Sequence, residues 1–231
     1  MQLDLLSVGT NAKTVKSDKG GVYLTAILYM APAVQVARIN ICPLSELAEC
    51  RTACLYTAGR GAFNNVQAAR IRKTELWRDD RPGFLDMLRN DLNRFESYCI
   101  KRDLVPAVRL NGTSDIPFEK HGIIESFPSI QFYDYTKTYS RLNNPQPDNY
   151  YLLLSFSNAS SVYARHIETT AKNTGANIAV VFRSDPPARF LNRTVINGDL
   201  DDLRFLDPPN SIVALSAKGQ AKKDVSGFVI D

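Results

Sequence analysis

The hydrophobic positions of this chain fall into short continuous runs, which are typical of strands buried on both faces of a sheet. The first run covers residues 22–31 and consists mainly of residues that favour strands. Similar runs recur towards the end of the chain. They predict strands at residues 105–110, 130–135, 151–156, 177–182 and 212–216, with a short additional strand near residues 194–196.

Between these runs the apolar positions change to the period of a helix. One helix is predicted from Asn64 to about Arg78, and a second begins near Pro82, a residue well suited to a first helical turn. Apolar residues spaced three and four apart give the second helix one buried face: Phe84, Leu88, Leu92, Phe95 and Cys99. Cys99 is therefore interpreted as a core residue. Further helices are predicted at residues 118–126 and 160–174.

Strands that alternate with helices indicate an α/β domain with a parallel sheet. Six such units favour a partial (β/α)6-type parallel barrel over a flat sheet. No repeat or linker divides the chain, so residues 1–231 are expected to form a single domain. Residues 1–20 are interpreted as a polar, basic N-terminal arm. In a parallel barrel the functional groups gather at the carboxyl ends of the strands.

Composition narrows the class of protein only slightly. The chain has 231 residues, 44% of them hydrophobic, and a net charge of +4, which permits contact with nucleic acid without arguing for it. No apolar run reaches the length of a membrane helix, and the N-terminus lacks the pattern of a signal peptide, so we expect a cytoplasmic protein without membrane contact. No Gly-x-x-x-x-Gly-Lys phosphate loop occurs, which argues against nucleotide hydrolysis by that route.

Three cysteines lie close together directly after the first predicted strand. Cys42, Cys50 and Cys54 are separated by seven and three residues, in a chain with only four cysteines and two histidines. Thiolates in one loop suit an iron–sulfur cluster as well as zinc, and three of them leave one position of the bound centre open. Zinc needs a fourth ligand, and neither histidine is nearby in the sequence. We interpret residues 42–54 as the loop of an iron–sulfur cluster, with structural zinc and buried metal-free thiols as the alternatives, and expect the hydroxyls of Thr52 and Thr57 to tune it.

Polar residues follow the other predicted strands at the same edge of the barrel. Asp115, Asp134 and Lys137 are candidates for acid–base or substrate contacts, and Lys218 follows the last strand. The structural interpretation, which is favoured for each residue taken alone, is that Asp115 caps the turn after the second strand and that Asp134 pairs with Lys137. Asp199, Asp201 and Asp202 are interpreted as solvated or helix-capping acids, with a divalent-ion site as the alternative.

A basic strip on the first helix is the remaining candidate for a binding surface. Arg70, Arg72, Lys73, Arg78 and Arg81 surround Trp77 there. Such a strip can follow a nucleic-acid backbone while the indole stacks on a base. An exposed amphipathic face is the favoured interpretation, because acidic residues dilute the charge.

Several motifs resemble those of the phage gene product 88 family, over nearly the full chain. They are residues 11–16 (NAKTVK), 54–61 (CLYTAGRG), 109–115 (RLNGTSD), 131–137 (QFYDYTK), 202–207 (DLRFLD) and the ending from Lys218 to Phe228. The resemblance implies a bacteriophage protein that works in the cytoplasm of the host cell. It implies no particular reaction.

The predicted architecture also resembles that of radical S-adenosylmethionine enzymes, although their cysteines are more closely spaced. The resemblance implies a [4Fe–4S] cluster on Cys42, Cys50 and Cys54, with S-adenosylmethionine as a candidate cofactor. The segment Asn111-Gly112-Thr113 then corresponds to a glycine-rich cofactor contact, and Ser155 and Ser157 to residues that bind a ribose. The substrate, a small molecule or a nucleic acid, is not indicated, and neither is the oligomeric state. A non-catalytic metalloprotein that binds nucleic acid or a host partner is the alternative function.

Overall fold

The computed structural model describes residues 1–231 apart from the side chain of Thr57, so the predicted role of that hydroxyl lies outside the described residues. The described part of the chain contains ten strands: β1 (Leu6–Val8), β2 (Tyr23–Leu28), β3 (Val105–Arg109), β4 (Gln131–Thr136), β5 (Tyr150–Ser155), β6 (Ile178–Phe182), β7 (Arg189–Phe190), β8 (Arg193–Asn197), β9 (Ile212–Ser216) and β10 (Val229–Ile230). The α-helices are α1 (Ala12–Asp18), α2 (Asn64–Asp79), α3 (Arg81–Ile100) and α4 (Ser161–Thr174). Short 3₁₀ turns cover Leu55–Thr57, Gly59–Ala62, Phe118–His121, Tyr139–Asn143, Arg204–Leu206 and Gly219–Lys223.

The strands form one mixed, mostly parallel sheet in the order β1-β2-β3-β4-β5-β6-β9-β8-β7. From β2 to β6, each strand lies parallel to the next one along the chain. Strands β1 and β7 run antiparallel to their neighbours, and β10 pairs with the end of β6. In the described part of the chain β1 and β7 do not pair with each other, so the sheet stays open. The fold is therefore α/β, as the alternation of runs predicted.

Helices α2, α3 and α4 cover one face of this sheet. All five residues predicted for the buried face of α3 are fully buried, including Cys99, which confirms the helical period there: Phe84, Leu88, Leu92, Phe95 and Cys99. They share a core with residues of β2, β3 and β4 that point to the same side. Helix α4 packs a second core against β5, β6 and β9.

The opposite face, here called the inner face, is covered by the chain itself. Residues 198–207, which we call the covering segment, place Leu203 against Ala107 and Tyr133 of the sheet. The hydroxyl of Tyr133 donates to Asp202 at 3.0 Å. Helix α1 lies beside this segment, and Lys13 Nζ donates to the carbonyl of Gly198 at 2.8 Å. Much of the inner face is thus filled by side chains of the same molecule.

Two segments differ from the sequence-based expectations. Residues 118–126 do not form an α-helix, because the 3₁₀ turn Phe118–His121 ends at Gly122, whose φ of +65° is left-handed. Residues 1–20 contain β1 and α1, which the polar composition did not reveal. None of the helices in the described part of the chain combines the length and apolar composition needed to span a bilayer.

A buried carboxylate on α3 holds the N-terminal strand in place. Asp91 is fully buried and accepts hydrogen bonds from the backbone amides of Asp4, Leu5 and Leu6 at 3.0, 2.7 and 2.9 Å. Arg94 also donates to it at 2.8 Å. Because β1 has only three residues, this carboxylate supplies much of what orders it.

Replacement of Asp91 by alanine is expected to lower the free energy of unfolding by about 2–4 kcal/mol, because several buried amides lose their acceptor. Denaturant unfolding measures the change. Asp86→Ala is the matched control on the same helix, since Asp86 is largely exposed and forms an ion pair with the exposed Arg89. The control is expected to change stability by less than about 0.5 kcal/mol. Equal losses in the two variants would contradict the assigned role.

Candidate functional site

The loop that carries the three cysteines lies on the carboxyl edge of the parallel strands. It leaves β2 and is tied to the end of β3 by a hydrogen bond of 2.8 Å from the amide of Asp115 to the carbonyl of Ile41. Just after the end of β5, the hydroxyl of Ser157 donates to the carbonyl of Ala48 at 2.8 Å. The cysteine loop therefore spans the ends of several strands.

The three thiols influence one another electrostatically. Burial raises the pKa of the Cys42 thiol to about 12, and the neighbouring Asp115, Cys54 and Cys50 act in the same direction. Burial also raises the pKa of Cys54, against the opposing charges of Lys137 and Arg70. The sulfurs are thus near enough to influence one another electrostatically. Among the described residues, however, no group of three or more His, Cys, Asp or Glu side chains is arranged to hold a metal ion.

Asp115 organises the end of β4. Its two carboxylate oxygens accept five hydrogen bonds, from the hydroxyl of Thr136, the amide of Lys137, the amide and hydroxyl of Thr138, and Nη1 of Arg141. Arg141 also pairs with Glu119 at 2.7 Å. The side chain of Asp115 is therefore fully engaged within the protein.

Asp134 and Asn111 bind each other on the helix-facing side of the sheet. Asp134 accepts from the amide and Nδ2 of Asn111 at 2.7 and 3.0 Å, and from the hydroxyl of Tyr150 at 2.9 Å. Burial raises the pKa of Asp134 to about 6, although these hydrogen bonds and the charge of Arg141 oppose the shift. The carbonyl oxygen of the Asn111 side chain accepts from Ser114 and Ile116. This pair shapes the turn after β3.

That turn packs closely against β2. A Cβ atom on Gly112 would lie 2.7 Å from side-chain carbons of Ile27 and Tyr29, so the turn has no room for a side chain there. Thr113 donates from its hydroxyl to the carbonyl of Met30 at 2.6 Å, and its own carbonyl lies 3.8 Å from Sγ of Cys42. The segment 111–113 therefore lies directly beside the first cysteine.

Lys137 and Ser155 are predicted site residues that the structure brings together. Nζ of Lys137 donates to the hydroxyl of Ser155 at 2.7 Å and lies 5.0 Å from the ring centroid of Phe228. Lys137 is also close enough to Cys54 to influence its pKa. Lys218 is engaged in a different contact, an ion pair of 2.7 Å with Asp199.

The acidic residues of the covering segment take separate partners. Asp199 pairs with both Lys13 and Lys218, at 2.8 and 2.7 Å. Asp201 pairs with Arg204, and the buried Asp202 lies 3.5 Å from Arg109. These carboxylates therefore bind cations of the protein and do not converge as ligands of a divalent ion.

Arg70 is buried near the cysteine loop, whereas the sequence predicted it on an exposed face of the helix. The basic strip was expected on an exposed face, but Arg70 is only 7% exposed and Trp77 only 3%. The indole packs against Phe84 and His121 in the core, so it is not available to stack on a base. The guanidinium of Arg70 lies 4.9 Å from the ring centroid of Tyr29 and close to Cys54. No motif in the sequence marks this arginine as buried.

One surface groove lies away from the cysteines. It has a volume of about 1120 Å³ between α4, the β7–β8 hairpin and residues 208–211. Its lining includes four basic side chains and one acidic side chain: Arg165, Lys172, Arg189, Arg193 and Glu168. A smaller depression of about 480 Å³ borders the cysteine loop at Pro43 and Glu46. This groove and the polar groups at the carboxyl edge are thus separate features.

Comparison with known proteins identifies one family. The model of the family described as gene product 88 matches residues 4–231. No curated protein and no solved structure matches the chain. The likeness to radical S-adenosylmethionine enzymes receives no support from these comparisons.

Asp115→Ala is expected to lower the free energy of unfolding by about 3–5 kcal/mol, because the buried Arg141 loses a carboxylate partner and four other donors lose their acceptor. Thermal or denaturant unfolding measures the loss. Glu125→Ala, an exposed acidic site between β3 and β4, serves as the control and is expected to change stability by less than about 0.5 kcal/mol. An Asp115→Ala protein as stable as the wild type would show that the five hydrogen bonds do not organise this edge.

Proposed function

This chain belongs to the phage gene product 88 family, and we propose that it binds an iron–sulfur cluster through Cys42, Cys50 and Cys54. The cluster proposed is of the [4Fe–4S] type, on a partial parallel barrel similar to that of radical S-adenosylmethionine enzymes. The observation that carries the proposal is that three cysteines lie in one loop at the carboxyl edge of the sheet, near enough for their thiols to influence one another's pKa.

The order of the strands supports the proposed partial parallel barrel. Strands β2 to β6 are parallel and lie side by side in the order of the chain, which is the order found in (β/α) barrels. The cysteine loop follows the first of these strands. Ligands of parallel α/β proteins bind at this end of the sheet.

The donor chemistry fits a cluster better than a single ion. A structural zinc ion needs four ligands, and the loop supplies three cysteines. A four-iron cluster accepts three thiolates with one iron left open. Lys137 and Arg70 favour the thiolate at Cys54, whereas the high pKa of Cys42 means that the ligand set must lose protons on binding.

When bound with S-adenosylmethionine, a cluster of this class supplies the single electron that cleaves the cofactor. The residues of this chain would bind and orient the ligand. Lys137 and Ser155 lie near the cysteine loop, and the backbone of residues 111–113 lies beside Cys42. The side chains of Asn111, Asp115, Asp134 and Ser157 are engaged internally, so their expected contribution is to hold these groups in position.

Anaerobic reconstitution with iron and sulfide tests the proposal. The wild-type protein is expected to bind about four irons and a similar amount of sulfide per chain, with a broad visible absorbance that dithionite bleaches. Cys42→Ala, Cys50→Ala and Cys54→Ala should each lose most of the iron. Cys99→Ala is the matched control, because Cys99 lies in the core of α3 and should leave iron binding unchanged.

Other metal contents would reject the iron–sulfur assignment. One zinc per chain that survives anaerobic purification would indicate a structural metal loop. A protein without metal after strictly anaerobic reconstitution would remove the cluster altogether, and so would equal iron contents in all four cysteine variants.

The second candidate function is a metalloprotein that binds nucleic acid, and the basic groove beside α4 favours it. Replacement of both Arg165 and Lys172 by alanine is expected to weaken binding to DNA and reduce its salt dependence, because two phosphate contacts are lost. The measurement is a fluorescence titration at several salt concentrations. Arg72→Ala with Arg89→Ala removes the same charge from α2 and α3. Equal affinities for the two double variants would exclude the groove as the binding surface.

A further inference from the structure

Arg70 is a buried arginine with unfilled hydrogen-bond donors. It is 7% exposed, and its Nε and Nη1 are fully buried without a hydrogen-bond partner among the described residues. Cζ of the guanidinium lies 4.9 Å from the ring centroid of Tyr29. Burial lowers the pKa of Arg70, but an arginine keeps its charge in proteins.

The other deeply buried arginines differ in their surroundings. Arg141 pairs with Asp115 and Glu119, and Arg204 pairs with Asp201 and Asp207. No carboxylate of the described residues pairs with Arg70. The groups that influence its pKa are instead the phenol of Tyr29 and the thiol of Cys54. A buried charge without a counter-ion is costly, so it is normally paired.

A second cation approaches the same place from the sheet. Lys137 and Arg70 both act on the thiol of Cys54, one from the end of β4 and the other from α2. The side chain of Lys137 donates a hydrogen bond to the neutral hydroxyl of Ser155. Asp115, which lies at the same edge, is engaged with Arg141. Both cations thus lie near Cys54, and no carboxylate of the described residues forms an ion pair with either of them.

The backbone of Gly61 lies against the guanidinium of Arg70. A Cβ atom at this position would lie 3.3 Å from both Nη1 and Nη2 of Arg70. Gln67 of α2 donates to the carbonyls of Tyr56 and Gly61, so this part of the cysteine loop is anchored to the helix that carries Arg70.

We propose that Arg70 and Lys137 form an oxyanion-binding site on the inner side of the cysteine loop. The site takes a carboxylate or phosphate group of a small ligand. The planar edge of an arginine donates two parallel hydrogen bonds to either group, and Lys137 adds a point charge. The site consists of side chains already in place, so it does not rest on the iron–sulfur proposal and is testable on the metal-free protein.

Thermal unfolding of the metal-free protein, with inorganic phosphate, acetate or chloride at matched ionic strength, tests the site. Phosphate or acetate is expected to raise the Tm saturably beyond the effect of chloride. A response to phosphate indicates a phosphate-bearing ligand, and a response to acetate indicates a carboxylate-bearing ligand. Arg70→Met is expected to weaken the apparent affinity about 10- to 100-fold. Arg72→Met, an exposed arginine two residues away on α2, should retain the wild-type response.

The ligand-free Tm provides a second, independent readout. Because Arg70 lacks a counter-ion, Arg70→Met is expected to raise the Tm of the ligand-free protein by about 2–8 °C. This gain in stability with loss of oxyanion response distinguishes a binding site from a structural arginine. It also shows that the variant is folded.

Three results would overturn the proposal: no response of the wild type to either oxyanion, equal responses of Arg70→Met and Arg72→Met, or a lower Tm for ligand-free Arg70→Met. Lys137→Met should weaken the oxyanion response as well, and an unchanged response would remove Lys137 from the site. Failure of iron binding together with a retained phosphate or acetate response would reject the cluster and support the oxyanion site.

Discussion

The carboxylate of Asp115 is the interaction on which the carboxyl edge depends. It neutralises the buried Arg141 and accepts four further hydrogen bonds from the end of β4, while its own amide holds the cysteine loop through Ile41. One residue thus joins three segments that are far apart in the sequence. Because each donor is buried or half-buried, no water molecule readily replaces the carboxylate, and the position of the cysteines follows from it.

The buried and half-buried cations of this chain differ in whether a carboxylate pairs with them. Under the helices and the covering segment, buried arginines meet carboxylates of the same chain, as Arg141, Arg204 and Arg109 do. Beside the cysteine loop, Arg70 and Lys137 lie near neutral groups of the described residues, a phenol, a thiol and a hydroxyl. A buried arginine with unfilled donors and no paired carboxylate among the described residues is the basis of the proposed oxyanion site.

The covering segment and α1 determine how much of the inner face a ligand can reach. Asp202, Leu203 and Tyr133 fill the middle of this face, and Asp199 joins Lys13 to Lys218 across its edge. The middle of the inner face is therefore filled by side chains of the same chain. The cysteine loop, residues 111–113, Lys137 and Ser155 lie at the carboxyl ends of the strands.

The sequence by itself determined the elements whose pattern is local. The apolar runs located β2 to β6 and β9, the three-and-four spacing identified the buried face of α3, and the cysteine loop was correctly placed after β2. The tertiary structure decided what depends on distant partners. It ordered β1 through Asp91, buried Arg70 and Trp77, and engaged Asp115 and Asp134 in internal hydrogen bonds. A local period is set by neighbours along the chain, whereas the partner of a buried charge is set by contacts between residues tens of positions apart, and no pattern within one segment encodes them.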